Sequence, residues 1–398
     1  MRGSDLPVAV VGGSLGGLTA ALLLRDLGCD VTVHERSTAE LEARGAGIVV
    51  LPETSRYLVE RVGLAPDAFT CSTQRLRYLG ADGGVVHEEV RPYRYSGWRT
   101  IYAALLGAFG RDAYRLGSEV VELSGDHGEM TVHLAGGGAQ TVGLVVGADG
   151  SASRCRGLFL PDLVPGYAGY VAWRGTVPES AVSARAREAF DDALVYEVIP
   201  RSHILVYPIP GDDGSTAPGE RSLNFVWYRN YAAGVELDAL MTDRDGVLRE
   251  RTLPPGAVSD ANVAEARAFA RANLAPAIAD LVEATERPFV QAIYDLEVPQ
   301  MAFGRACLLG DAAFLLRPHI AAGTAKACAD AWALAGAIER EQEVGCCVSC
   351  ALRTYEESQL AVGRTALART RRNGNRSQFE GTWDPADPTL AFGLTDPA

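Results

Sequence analysis

The chain has 398 residues, enough for two domains or one elaborate α/β unit, and its 47% hydrophobic and 22% charged residues suit a folded globular protein. A net charge of −13 argues against nucleic-acid and anionic membrane surfaces, which call for basic patches. No signal-peptide pattern precedes the first apolar run and no run is long enough to span a bilayer, so the expectation is a cytoplasmic protein without nucleic-acid or membrane partners.

Leu6–Val11 reads as a buried strand running into a glycine-rich turn. Leu18–Leu27 is apolar nearly all round, the pattern of a buried helix, and Gly28 can end it. Val31–His34 is a second strand, and the resulting βαβ start implies a parallel sheet. Glu119–Leu123, Met130–Leu134 and Val142–Val146 read as a meander. Gly169–Val177, Leu194–Ile199, His203–Ile209 and Leu223–Tyr228 are rich in β-branched and aromatic residues and predict an antiparallel sheet. Val263–Val282 reads as helix, Arg305–Leu309 as a short buried strand and Gly323–Ile338 as helix. The polar, proline-containing tail from Asn373 is expected to lie over the surface.

The eight cysteines are expected to be reduced. Cys347 and Cys350 have C-x-x-C spacing, read as a small-residue helix face; Cys346 precedes them, and no second such pair or histidine pair completes a metal site. Lys326 is the only lysine, which reads as coding composition.

Three motifs carry chemistry. The first is Val10-Val11-Gly12-Gly13-Ser14-Leu15-Gly16-Gly17, where Gly12 and Gly17 fit a dinucleotide-binding βα turn and Ser14 stands at the middle glycine position. A helix N-terminus there can hold a phosphate, and Glu35, closing the second strand, can accept from a ribose. The second is Gly147-Ala148-Asp149-Gly150, a D-G turn after a strand. The third is Gly310-Asp311-Ala312-Ala313, followed by Arg317-Pro318-His319 and a helix starting near Gly323 whose positive end suits an anionic group. A tight turn without ligand is the alternative for each motif alone.

The three motifs in this order resemble the class A flavoprotein monooxygenases, the para-hydroxybenzoate hydroxylase-like enzymes, over nearly the whole chain. Within that family, Gly166–Gly175, Tyr207–Gly211, Arg317-Pro318-His319 and Ala391-Phe392-Gly393-Leu394 are similar to the dihydroxypyridine hydroxylase branch. The resemblance implies an α/β fold: a Rossmann-type FAD-binding domain (1–75, 96–165, 286–340), interrupted by an antiparallel-sheet substrate domain (76–95, 166–285), plus C-terminal helices and tail (341–398). It implies FAD as cofactor, NADPH or NADH as transient reductant, and hydroxylation of a small aromatic substrate by O2 through a flavin hydroperoxide. Pyridine catabolism and tailoring of a pyridine-containing natural product both fit. By position, Ser14 and Leu15 would meet the pyrophosphate, Glu35 the ribose, and Arg36 and Val121 the adenine. Gly47, Ile48 and Arg99 would lie near the flavin, Asp149 would support the site, Asp311 would bind the ribityl chain, and Ala322 and Gly323 the pyrimidine edge. Many family members carry histidine where Phe314 stands.

His319, after Pro318, is the candidate for proton transfer, since imidazole titrates near neutrality; the alternative is a histidine bonded to its loop. Tyr170, Tyr207, Trp227 and Arg174 are candidate substrate contacts, with core packing or an inter-domain ion pair as alternatives. A halogenase or reductase of the same fold, an NAD-dependent dehydrogenase and a non-catalytic flavin-binding sensor are the rival readings. A homodimer is the default assembly.

Overall fold

A computed structural model describes residues 6–41, 46–125, 128–343 and 347–395; Cys346 lies outside them. One sheet of six strands has the order Ala302–Phe303, Ala306–Leu308, Leu144–Gly147, Pro7–Val11, Asp30–His34, Tyr114–Arg115. All its pairs are parallel except the first. Val8, Ala9 and Val10 are fully buried, as expected where helices cover both faces of a parallel sheet. The helix Leu15–Asp26 follows the first strand and is buried at every position from Leu15 to Leu24, which explains its apolar circumference.

The second sheet has ten strands, built around Gly166–Pro178, Ser222–Asn230, Ser202–Ile209 and Ala193–Ile199. These central neighbours pair antiparallel, whereas Ala193–Ile199 pairs parallel with Cys71–Leu79. The sheet also takes Gly47–Val49 at one edge and Phe289–Glu297 near the other, so it reaches beyond residues 76–95 and 166–285. Its central strands alternate from residue to residue outside the irregularities at 167–171, 73–75 and 78–79. Trp173, Val206, Phe225 and Trp227 pack on one face with the helices Asp260–Asn273 and Pro276–Ala284. Ala172, Arg174, Leu205, Tyr207, Val226 and Tyr228 point the other way, into a cleft.

Three expectations are corrected. The strand expected at Val142–Val146 is divided: Val142 ends the meander Val120–Gly125, Met130–Leu134, Ala139–Val142, and Leu144–Gly147 joins the parallel sheet. Gly143 makes the step, pressed so close to Leu6 that a Cβ would lie 2.4 Å from its Cδ1. The helix expected at Val263–Val282 breaks at Leu274, because Pro276 starts a new helix and has no N–H with which to continue the old one. The tail does not begin at Asn373. The helix Val348–Asn375 runs through it into a π turn, Arg376–Glu380, and Asn373 and Gln378 are fully buried. Burial is tolerated because Asn373 donates to the Thr389 carbonyl and Gln378 meets His203 Nδ1.

Among the described residues no helix is long and apolar enough to cross a membrane, and no group of three His, Cys, Asp or Glu could hold a metal ion. Cys347 caps the long helix and its Sγ lies 3.1 Å from that of Cys350.

Candidate active site

A cleft of about 400 Å³ lies where the carboxyl ends of the parallel strands meet the front face of the large sheet; open α/β sheets place ligands at such strand ends. Its floor at one end is the first βα turn. Gly12 has φ +102°, and a Cβ there would lie 2.4 Å from the Ala148 carbonyl oxygen; a Cβ on Gly17 would lie 2.0 Å from that of Gly12. Both positions therefore demand glycine. Ser14 caps the helix without a side-chain capping bond, so its hydroxyl is left for the cleft that Ser14, Leu15 and Gly16 line. Buried Glu35 accepts from the backbone N–H groups of Gly13 (3.0 Å) and Ser37 (2.8 Å), and so braces the turn. Arg36 is exposed.

The G-D turn is held from behind. The Gly310 N–H donates to Asp330 Oδ2 (2.8 Å), and Asp330 pairs with Lys326 at 2.9 and 2.7 Å, both side chains buried. Arg156 donates to the carbonyls of Ser151, Asp311 and Ala312. Asp311 then lines the cleft with an exposed carboxylate that has no hydrogen bond among the described residues. Asp149 works one layer back: it accepts from the Ser153 hydroxyl and from the N–H groups of Arg154 and Cys155. The Val121 carbonyl accepts from Arg154 Nε, and neither Val121 nor Asp149 lines the cleft. Ala321 is left-handed (φ 52°), Ala322 is buried, and Gly323 begins the helix Gly323–Glu343 at the cleft wall. The role of Lys326 and Asp330 was hidden in the sequence; an acid four residues after the only lysine was the available signal.

At the other end, Gly47 is clamped. Its N–H donates to Asn224 Oδ1 (2.9 Å), and its carbonyl accepts from Arg174 Nη2 (2.6 Å) and the Tyr207 hydroxyl (2.8 Å). A Cβ on Gly47 would meet Asn224 at 2.6 Å. Arg174 also donates to Gln291 Oε1 (3.0 Å), leaving its buried Nε without a hydrogen-bond partner among the described residues. Gly47, Ile48, Arg174 and Tyr207 all line the cleft. So do Tyr228 and Pro318, beside Leu205, Val226 and Ile293.

Four candidates are displaced, the first of them Tyr170, which is fully buried against His319 and does not line the cleft. Trp227 sits on the far face of the sheet, donating to the Ser202 hydroxyl, and its neighbour Tyr228 takes the cleft position. Arg99 is on the surface, bonded to the Asp212 carbonyl (2.8 Å) and 45% exposed, while Trp98 lines the cleft. His319 lies behind the wall that Pro318 forms. Its Nε2 is 2.7 Å from the hydroxyl of buried Tyr170, and its ring packs among Tyr228 and His203. Burial first, with the positive charge of nearby Arg317, holds its pKa well below the usual 6.5, so it is neutral near pH 7.

The middle of the chain, residues 167–295, matches the FAD binding domain-like family. A 2,6-dihydroxypyridine 3-monooxygenase of Paenarthrobacter nicotinovorans is 37% identical over 388 residues, covering 97% of this chain and 95% of the relative. The chain belongs to the FAD-dependent aromatic monooxygenases. The solved 2,6-dihydroxypyridine-3-hydroxylase of Arthrobacter nicotinovorans superposes on this monooxygenase with a TM-score of 0.92 at 35% identity, over 99% of this chain and 98% of the other. A 6-hydroxynicotinate 3-monooxygenase of Bordetella bronchiseptica is 26% identical, covering 81% and 80% of the two chains. Klebsiella pneumoniae HpxO, solved with FAD and uric acid, shares the fold at 23% identity and TM-score 0.76, over 94% and 89% of the two chains. The monooxygenase carries FAD, and its cradle fits that group: two glycines no side chain can replace, a helix N-terminus without a side-chain cap, and Asp311, whose carboxylate makes no hydrogen bond among the described residues.

Proposed function

We propose that this monooxygenase hydroxylates a hydroxypyridine-type or phenolic ring, with NADH or NADPH as reductant and O2 as oxidant. The observation that carries the reading is the cleft wall, which Tyr207 and Tyr228 line together with Leu205, Val226, Ile293 and Pro318. Such a chamber suits one flat ring bearing hydroxyl groups: apolar walls take the ring faces and a few polar groups fix its orientation. The relative named for 2,6-dihydroxypyridine supports a pyridine ring.

FAD supplies the electron transfer and the activation of dioxygen; the chain supplies placement, electrostatics and exclusion of water. The N–H groups at Ser14 and Leu15 would hold the pyrophosphate, with Gly12 and Gly17 permitting its approach. Glu35, beside Arg36 and Val121, would serve the adenosine end, and Asp149 would keep the second turn in place. Asp311 would bind the ribityl hydroxyls. Ala322 and Gly323, at the positive end of their helix, would face the pyrimidine edge, and Gly47 and Ile48 would lie against the ring system. Tyr228, whose hydroxyl has no protein partner among the described residues, would bond the substrate hydroxyl. Tyr207 donates to Gly47, leaving its oxygen to accept. Neutral His319 is a positioning residue that holds Tyr170 and the Pro318 loop. Residues 76–95 and 166–285 form the substrate-facing unit in this reading.

The test follows NADH and NADPH oxidation by the purified yellow protein with a panel of hydroxypyridines and phenols, with mass analysis of products. A product heavier by one oxygen from a hydroxypyridine is expected. Oxidation that yields only hydrogen peroxide across the panel removes this substrate class.

A further inference from the structure

Residues 381–395, after the π turn, have no regular structure beyond the short 3-10 turn Pro388–Leu390, yet they are tied down at several points. Arg369, 2% exposed, sends Nη1 to the Gly393 carbonyl (2.6 Å) and Nη2 to those of Ala391 (2.5 Å) and Thr389 (3.3 Å). Arg376 pairs with Asp387 at 2.6 Å. The Gly393 N–H donates to the Ile320 carbonyl (3.1 Å), in the loop that carries Pro318. The Phe392 N–H donates to the Tyr93 hydroxyl (3.2 Å), and the two rings pack with centroids 4.8 Å apart. These ties deliver one side chain to the cleft: Phe392 lines it with Tyr228 and Pro318.

We propose that Phe392 is a specificity-determining residue that limits the size of ring substituents, and that Arg369 is the positioning residue that fixes it there. The proposal rests on the ring end of the cleft being the substrate chamber. A fork of N–H groups sharing three carbonyls locks backbone that would otherwise move, and charge-assisted bonds are the strong kind. The wall is therefore rigid, and a substituent directed at Phe392 meets a ring that cannot yield.

The experiment compares wild type, Phe392→Ala and Phe392→Leu, each loaded with FAD. Ligand-induced changes in the flavin absorption spectrum are titrated with hydroxypyridines and phenols carrying hydrogen, methyl or propyl groups. Turnover is measured alongside. Phe392→Ala is expected to shift the propyl-to-hydrogen ratio of dissociation constants toward propyl by at least tenfold, with Phe392→Leu intermediate and FAD content unchanged. Arg369→Met is expected to reproduce the shift with Phe392 still present and to be cut in the tail by chymotrypsin faster than wild type. A ratio within twofold of wild type in Phe392→Ala overturns the proposal. A shifted ratio for phenols, with no hydroxylated product from any hydroxypyridine, supports the wall while removing the pyridine reading, so the two failures are distinguishable.

Discussion

Lys326 and Asp330 form an ion pair whose side chains are 1% and 0% exposed. Such a pair adds little net stability over an apolar one, but removing one partner strands the other. Lys326→Met is therefore expected to cost about 3–5 kcal/mol in urea unfolding of the holoprotein. Lys326→Met/Asp330→Asn should recover most of that, because asparagine still accepts from the Gly310 N–H. A single variant as stable as wild type would show that the pair bears no such load. At the ring end, Tyr228→Phe removes one neutral hydrogen bond and is expected to lower kcat/KM about three- to tenfold. Trp227→Phe should leave kcat/KM unchanged, since that side chain packs behind the sheet. Equal kinetic losses in both would contradict the strand phase. That phase is what sequence reading missed: the hydrophobic pattern gives a period of two but not which half faces the ligand, because Trp227 and Tyr228 are both aromatic and both buried.

The elements were legible in proportion to how local their causes are. The first βα unit could be read because its turn, helix and second strand are consecutive and each is sterically dictated. Gly17→Ala sets a methyl against the Gly12 carbonyl and should abolish FAD retention, seen as loss of yellow colour after gel filtration. A yellow, stoichiometric variant would mean that the turn relaxes. The split at Gly143 and the long C-terminal helix were not legible, because long-range contacts decide both: Leu6 against Gly143, and Thr389 and His203 against a polar helix end. Arg99 misled for a related reason. Its spacing was plausible, but a helix turns neighbouring side chains apart, and Trp98 rather than Arg99 faces the cleft.

For the whole molecule, buried histidines tie stability to pH: His34, His203 and His319 are all lowered by burial, the last two most strongly. His203 is pushed by burial to about 3, and His319 well below its usual value. Below pH 6.5 the unfolded chain takes up protons at both while the fold does not, so stability falls on acidification. Each contributes a slope of about 1.4 kcal/mol per pH unit down to its folded pKa. Buried Glu197, raised to about 7, works in the opposite direction, since it is protonated more readily in the fold than in the unfolded chain. His203→Phe is expected to flatten the melting temperature measured between pH 6.5 and 4, and a parallel curve would show that His203 is protonated in the native state.

Lys326 is the only lysine among 37 basic side chains, and it is buried. The one lysine amine is therefore hidden, and reagents that acylate or methylate amines should find no exposed lysine on the native surface. Opening of the helix that lines the cleft would add one further label. Counting labels by mass during incubation thus turns a single side chain into a reporter of how often this part of the enzyme breathes. The same scarcity means that amine-coupled supports would find no exposed lysine to hold.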